Sequence, residues 1–489
     1  MNRRRFLKYA GATAAVAGAS AVGLDYLLTR PMNQTPAQTT VVITPHTIEN
    51  IKWAPTRVQN SKVYDGRITF DVRNPVSDQA KLDFQPYLPS QFSKTYRSSE
   101  SAFPYEDPRT FSLKPVSSAA DEKTISFSQD ITDLKGGKQY RALATIKDTA
   151  GHEVIGYKDT PYVREFENVT NASATVGVQY GMFFGGPPWA TPRFLTHPLL
   201  GEYDSRDPMV VTKHLDWLSG HGARFLLSFI QDNWTYQNTK ILFGPSLSRL
   251  TDDIKIAVTY DPTHMLGGPS YLDGSFINLN VKKMADKLIT DFDSMASDFF
   301  TQTNYFRVAG RPFVFLYKAS WLKGNLSAVF KMLRDHLMQK HGLEIYLVGD
   351  TIEFSNDPGD FYLKPYDAVS RWIGYDGWTE GVCCSEFEAN LDALYSKWRQ
   401  IAKGTGVNFI PVATPGFQST RPSQKDLPVL PKSPDRFRRQ MEICKKYVDE
   451  TIPMLLASTF NDWAENTTIE PTVEEGFQYL QVMKESVSS

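Results

Sequence analysis

Between residues 41 and 165, apolar and polar positions alternate in short runs separated by turn-rich segments. Arg67-Ile68-Thr69-Phe70-Asp71-Val72, Thr124-Ile125-Ser126-Phe127 and Tyr140-Arg141-Ala142-Leu143-Ala144-Thr145-Ile146 are three of these runs. A strand with one buried face has this period of two, so the spacing predicts an antiparallel β-sandwich. Leu134, Gly136, Gly137 and Tyr140 have the layout of a tyrosine corner, and Ala150-Gly151 that of the hairpin after it. Both give the sandwich an immunoglobulin- or fibronectin III-like character. From Thr175 onward the pattern becomes apolar strand, loop, long helix, repeated. Strands are predicted at 175–183, 224–230, 254–260, 313–318, 344–349, 367–371, 408–413 and 454–459. Helices fall at 208–220, 280–299, 325–341, 386–403, 434–449 and 474–485. The first helix opens on Asp207 as N-cap with Pro208 behind it, and stops at Gly220. The second carries Val281, Met284, Leu288 and Phe292 on one face. Eight strands alternating with helices predict an α/β fold, a (β/α)8 TIM barrel over 175–489. A doubly wound open sheet is the structural rival. It would bring a Gly-rich phosphate loop after its first strand, and Gly185-Gly186-Pro187-Pro188 is not one.

Composition changes this picture little. The 489 residues carry a formal net charge of −1, which gives no electrostatic case for nucleic acid as a partner. Thirteen per cent aromatic residues suits sugar binding, because pyranose C–H faces stack on Tyr and Trp, though a large core also consumes aromatics. The N-terminus is more informative. Arg3-Arg4-Arg5-Phe6-Leu7-Lys8 fits the twin-arginine export pattern, an apolar stretch from Ala10 to Leu24 follows, and Ala19-Ser20-Ala21 offers a cleavage site. Residues 1–30 therefore predict export to the periplasm, cell surface or medium, with the segment either cut or kept as a membrane tether. Residues 31–40 read as a linker. The cysteines are Cys383, Cys384 and Cys444, so at most one long-range disulfide is available. No zinc-type spacing and no His-Glu-x-x-His occurs, and neither a metal nor a cofactor is expected.

In a barrel, reacting groups sit at the C-terminal ends of strands. The eighth predicted strand runs into Phe460-Asn461-Asp462-Trp463-Ala464-Glu465-Asn466-Thr467-Thr468-Ile469-Glu470-Pro471. Cleaving a glycosidic bond takes two carboxyl groups in different protonation states, and Asp462 and Glu465 can both face the cleft from one turn. Glu470 either orders the loop or binds a hydroxyl. By itself, an acidic loop leading into a helix is more often a solvated cap.

The segment resembles the F-N-E-W-x-E-G-x-x-I/L-E-P signature of glycoside hydrolase family 99 and of the related WbsX-type domains, which are described as glycosyltransferases. His197-Pro198-Leu199-Leu200-Gly201-Glu202-Tyr203-Asp204-Ser205-Arg206-Asp207-Pro208 is similar to the family segment before the first barrel helix. Gly310-Arg311-Pro312-Phe313-Val314-Phe315-Leu316-Tyr317 resembles its fourth strand, and Pro415-Gly416-Phe417-Gln418-Ser419-Thr420-Arg421 the loop after strand seven. The likeness spans about 175–485. It implies that Asp462 stands in the place of a base acting on the sugar 2-hydroxyl, in a configuration-retaining route through a 1,2-anhydro sugar. It likewise implies that Glu465 is the general acid/base. Tyr180, Asp261, Tyr317 and Arg421 fall where the family places substrate contacts. Asn461, Trp463 and Glu470 join them from the motif, and Trp234 and Trp463 are the sugar-platform candidates. Trp217, in mid-helix, reads as core.

The sequence also departs from the hydrolase pattern. Asp462 replaces Glu and is one methylene shorter. Ala464 replaces His, Asn466 replaces Gly at a position suited to a left-handed backbone, and Lys318 follows Tyr317 where the hydrolases tend to have Asp. Ala464 and Lys318 are closer to the WbsX-type pattern. The reading that follows is an exported, retaining, endo-acting glycoside hydrolase on an α-linked, mannan-like glycan. A WbsX-type glycosyltransferase and a non-catalytic carbohydrate-binding protein are the alternatives. The oligomeric state is left open.

Overall fold

The computed structural model describes residues 46–87, 108–118, 123–185, 189, 194–244, 252–267, 276–352, 363–374 and 386–488. The signal segment, the linker, Cys383 and Cys384 lie outside them. Cys444 is a buried free thiol.

The alternating region forms two antiparallel sheets. Strands β1 (Thr47–Gln59), β2 (Lys62–Arg73), β6 (Thr124–Ile131) and β5 (Ser117–Ser118) make one, in the order β1-β2-β6-β5. Strands β4 (Arg109–Leu113), β3 (Ala80–Tyr87), β7 (Gln139–Lys147) and β8 (Glu153–Asp159) make the other, in the order β4-β3-β7-β8. In β7 every second residue is buried, as the period of two requires. The inward residues of both sheets share one apolar core. Phe70 stacks on Phe127 across paired strands, with centroids 5.1 Å apart. Trp53 of β1 reaches Phe84 of β3 from the opposite sheet, at 5.9 Å. The Tyr140 hydroxyl donates to the Lys135 carbonyl at 2.9 Å, the tie expected of a tyrosine corner. The β7–β8 hairpin turns through Gly151 at φ +84°, a left-handed position where glycine has no Cβ to clash.

A second, larger core belongs to a parallel sheet with helices between its strands. Its members are β9 (Thr175–Tyr180), β10 (Ala223–Ile230), β11 (Lys255–Tyr260), β12 (Arg311–Leu316), β13 (Tyr346–Asp350), β14 (Ala368–Ser370), β15 (Asn408–Phe409), β16 (Val412–Ala413) and β17 (Met454–Ala457). These strands are buried almost throughout, not alternately, because helices cover the sheet. The expected seventh strand, 408–413, is two pieces. Its first half pairs with β14 and its second with β17. Pro411, which has no N–H to give a ladder, lies where the partner changes. Since β17 also pairs with β9, this switch brings the sheet round on itself, as a (β/α)8 barrel requires. Gly177 of β9 makes room for an aromatic filling. A Cβ there would lie 2.2 Å from the Phe225 ring, which stacks on Phe306 at 3.8 Å.

The helices are α1 (Pro208–Gly220), α2 (Asn233–Thr239), α3 (Lys282–Met295), α4 (Leu326–His341), α5 (Phe387–Thr405), α6 (Pro434–Tyr447) and α7 (Gln478–Ser488). The Asp207 side chain accepts from the Met209 N–H, as its N-cap position predicts. Val281 corrects the expected apolar face of α3. It is the exposed residue before the first turn, while Leu288 and Phe292 are buried.

Helix α1 is buried on nearly every side because the segment leaving β8 packs over it. Asp216 on α1 accepts from the Tyr162 hydroxyl at 2.8 Å and the Glu165 N–H at 2.6 Å, with Arg164 Nε 3.4 Å away. Trp217 is core, as read from the sequence, and its Nε1 donates to Glu165 at 3.0 Å. Burial raises the Asp216 pKa, and the Arg164 guanidinium opposes that shift. Removing one partner of such a buried pair strands the other charge in a poorly solvating interior. The expected cost of Asp216→Ala is therefore about 3 kcal/mol or more. Urea denaturation of the purified variant reads it directly. A loss below about 1 kcal/mol would mean the network contributes no more than an ordinary surface pair.

Candidate active site

The loop after β17 is built on a buried polar support. Glu470, 1% exposed, accepts from the Tyr203 hydroxyl at 2.7 Å and lies 3.2 Å from His214 Nε2. The other ring nitrogen of His214 is 2.9 Å from the Tyr180 hydroxyl. Asn461 accepts from the Gly181 N–H at 2.7 Å and donates to the Gly181 carbonyl at 2.9 Å and to Tyr203 Oη at 3.2 Å. Burial and the Glu470 charge both push the Tyr180 and Tyr203 hydroxyls well above the ordinary tyrosine pKa, so both remain donors. Above this support, the Asp462 N–H donates to Thr459 Oγ1 at 2.9 Å, and Asp462 Oδ1 accepts from the Glu465 N–H at 3.1 Å. Asn466 takes φ +51°, the left-handed backbone foreseen for it.

This arrangement corrects several expected substrate contacts. Tyr180, Asn461 and Glu470 are fully buried; Tyr180 and Asn461 bond within the protein, and Glu470 accepts from Tyr203 through one oxygen. Trp463 is 1% exposed and packs with Trp189 and Phe194, so it is a core ring and not an open platform. Asp261, at the end of β11, is buried and caps a short turn. One oxygen takes the N–H and hydroxyl of Thr263, at 2.8 and 2.5 Å, and the other takes His264 Nδ1 at 2.7 Å. Trp234 is 39% exposed at the start of α2.

The structure does bring Asp462, Glu465 and Arg421 together. Arg421 Nη1 donates to Glu465 Oε1 at 2.9 Å, and its Nη2 lies 3.5 Å from Asp462 Oδ2. The Asp462 and Glu465 side chains are only 12% and 13% exposed. Burial, followed by the neighbouring Asp462 charge, raises the Glu465 pKa to about 7, while Arg421 and Lys318 pull it down. A carboxyl with that affinity can give and take a proton near neutral pH, which general acid/base work demands.

Sequence reasoning missed three groups at this mouth of the barrel. Lys318, just past β12, has φ +48°, and its N–H donates to Asp350 Oδ2 at 2.9 Å. Asp350 ends β13, also accepts from the Trp372 N–H at 3.0 Å, and is raised to about 6 by burial. Arg371, buried beside them, partly offsets that rise, as does Lys318. Asp350 had a legible signal, an acid at the C-terminal end of a barrel strand. Lys318 stood out only as a departure from the hydrolase pattern, and Arg371 had no signal beyond its neighbours. Asp350 thereby joins the turns that carry Tyr317 and Trp372, whose rings meet edge-on at 5.3 Å against Phe229. Tyr317 is partly exposed. Among the described residues, no group of three or more His, Cys, Asp or Glu side chains has metal-holding geometry. Among the same residues, no helix is long and apolar enough to cross a membrane.

Residues 279–483 match the family described as Glycosyltransferase WbsX. Of solved structures, a glycoside hydrolase-like protein aligns with a TM-score of 0.52 at 21% identity, over 68% of this chain and 97% of that one. A GH99 endo-α-mannosidase from Bacteroides thetaiotaomicron, in complex with bis-tris propane, aligns with a TM-score of 0.50 at 17% identity, over 64% and 97%. Residues 279–483 are thus similar to the WbsX family, and the barrel shares its fold with these solved structures. The motif that resembled the family lies inside the matched segment, and at these identities the structural likeness is one of fold. No curated protein matches the chain.

The raised affinity of Glu465 has a thermodynamic consequence. Below pH 4.5 the folded and unfolded states both hold the proton. Between 4.5 and about 7 the unfolded state releases it first, so stability falls as pH rises through that window. Glu465→Gln removes the penalty. The variant should match the parent at pH 4 and exceed it at pH 8 by up to about 3 kcal/mol. Urea midpoints at the two pH values test this. Parallel curves would show that Glu465 titrates as an ordinary surface acid.

Proposed function

We propose that this protein is an exported glycoside hydrolase acting on an external polysaccharide or glycan, with Asp462 and Glu465 as its reacting pair. One observation carries the reading. Two mostly buried carboxylates at the end of the last barrel strand share one guanidinium, and one of them has its pKa raised to about 7. In the family 99-like route, Asp462 takes the proton of the sugar 2-hydroxyl, whose oxygen closes on the anomeric carbon as the aglycone leaves. Glu465 protonates the departing glycosidic oxygen and then deprotonates the water that attacks the anomeric carbon and opens the 1,2-anhydro sugar, while Asp462 returns its proton to O2, so configuration is retained overall. The GH99 endo-α-mannosidase likeness favours an α-linked, mannan-like substrate cut internally. Trp234, Tyr317 and the Trp372 ring beside it offer apolar faces for the sugar. The twin-arginine segment supports export, and the two-sheet domain, with its tyrosine corner, is read as a fibronectin III-like accessory module.

The description of the matching family favours a second reading, a glycosyltransferase. Nucleotide-sugar donors are kept in the cytoplasm, so an exported transferase needs a lipid-linked donor. Incubating the protein with mannans and other α-linked glycans, without any donor, separates the two. Release of oligosaccharides supports the hydrolase, and product formation only with an activated donor supports the transferase.

Glu465→Gln should retain its fold, judged by circular dichroism, and lose at least 100-fold in turnover, the low end for general acid/base catalysis. Undiminished activity would remove Glu465 from the reaction. Asp462→Glu restores the missing methylene. Faster release than in the parent would show that reach limits the parent, because about 1 Å of misplacement costs on the order of 100-fold. Inactivity in both forms would leave a carbohydrate-binding protein.

A further inference from the structure

Arg421 was expected to contact substrate, yet its guanidinium is turned onto both carboxylates. Its position is set by backbone, not by a loose side chain. The strand-seven loop is sewn to the strand-eight loop by Gln418 N–H to the Glu465 carbonyl at 2.9 Å and Thr420 N–H to the Ala464 carbonyl at 2.8 Å. The Thr420 hydroxyl adds a third bond to the Ala464 carbonyl at 3.1 Å. The Arg421 N–H is held by Ser419 Oγ at 3.2 Å. The main chain of Arg421 is thus indexed to the main chain of the residues it grips. A planar fork held this way can meet two carboxylates at once, which a lysine ammonium cannot do with fixed geometry.

We propose that Arg421 is the positioning residue of the acid pair: its fork fixes Asp462 and Glu465 side by side and sets the pH at which Glu465 exchanges its proton. The charged groups acting on Glu465 are Asp462 from its own loop, Arg421 from the strand-seven loop and Lys318 from the turn after β12. Asp350 and Arg371 stand behind Lys318. Burial and Asp462 favour the protonated form of Glu465, and the two cations favour the ionised form. Without Arg421 the balance moves toward a proton held too tightly to be returned to water near pH 7.

The kinetic part of the proposal rests on the hydrolase reading, but the titration does not. Isotope-edited infrared spectroscopy follows the Glu465 carboxyl in the ligand-free protein, with Glu465→Gln identifying the band. The midpoint in the parent should lie near 7. In Arg421→Gln it should rise by about one to three pH units, the usual effect of an adjacent opposite charge. Arg421→Lys retains the charge without the fork, so its midpoint should fall between the two. If the protein cleaves a glycan, the alkaline limb of kcat/KM should follow the infrared midpoint in all three. An unchanged midpoint in Arg421→Gln, with at most a raised KM, would overturn the proposal and return Arg421 to the substrate contacts. Should Arg421→Gln fail to fold, Arg421→Lys still decides, because an unaltered midpoint together with unaltered turnover would show that the fork has no role. A correct titration with no cleavage of any glycan would sink the hydrolase reading and leave Arg421's role standing.

Discussion

Burying two carboxylates in one loop is the constraint that shapes this end of the barrel. An isolated buried anion is strongly disfavoured, and a second one beside it more so. Two remedies exist, a bound proton or a counter-charge, and the site uses both. Arg421 supplies the counter-charge, and the raised affinity of Glu465 supplies the proton. Neither remedy alone leaves a group that can change its protonation near neutral pH. A carboxyl neutralised only by a proton would hold it too firmly, and one held only by a guanidinium would never take it up. Asp350, raised to about 6 by burial and opposed by Lys318 and Arg371, follows the same logic a few strands away.

Most of the secondary structure could be read from the sequence because its signals are local. Asp207-Pro208 and Gly220 bound α1 where the structure has it, and the spacing located the members of the parallel sheet to within a few residues. The division of 408–413 was not foreseen, although Pro411 was the sign of it. Within the site, the two acids were legible through the motif around them. The mistaken contacts failed for a shared reason. Tyr180, Asn461, Trp463 and Glu470 have the residue types of a sugar site, but residue type does not say which way a side chain points. Tyr203 and His214, which hold Tyr180, Asn461 and Glu470, and Trp189 and Phe194, which pack on Trp463, are remote in sequence, so no local pattern showed that these groups were buried among them. Lys318 was noticed only as a departure from the hydrolases, because its relation to Asp350 and Glu465 exists only in three dimensions.

Those same buried groups bear on the shorter acid. Asp462 is one methylene shorter than the glutamate it replaces, and a mobile loop would lean inward to make up the difference. This loop has little freedom to do so. Asn461, the residue before Asp462, is tied at both amide atoms to Gly181, and the Phe460 N–H is tied to the Gln179 carbonyl at 2.7 Å. Phe460 also receives the Glu470 N–H at 2.8 Å, while Asp462 Oδ1 is taken by the Glu465 N–H. Moving the loop by an ångström would break several buried hydrogen bonds, each costing about 1–3 kcal/mol if left unmade. The backbone is therefore held in place, and the reach of Asp462 is what its own side chain provides. The contacts to Arg421 agree, at 3.5 Å for Asp462 and 2.9 Å for Glu465. On the proposed hydrolase reading, the group that moves to accommodate the shorter acid is then the ligand, which would make position 462 a determinant of which sugar ring fits as well as of how fast it reacts.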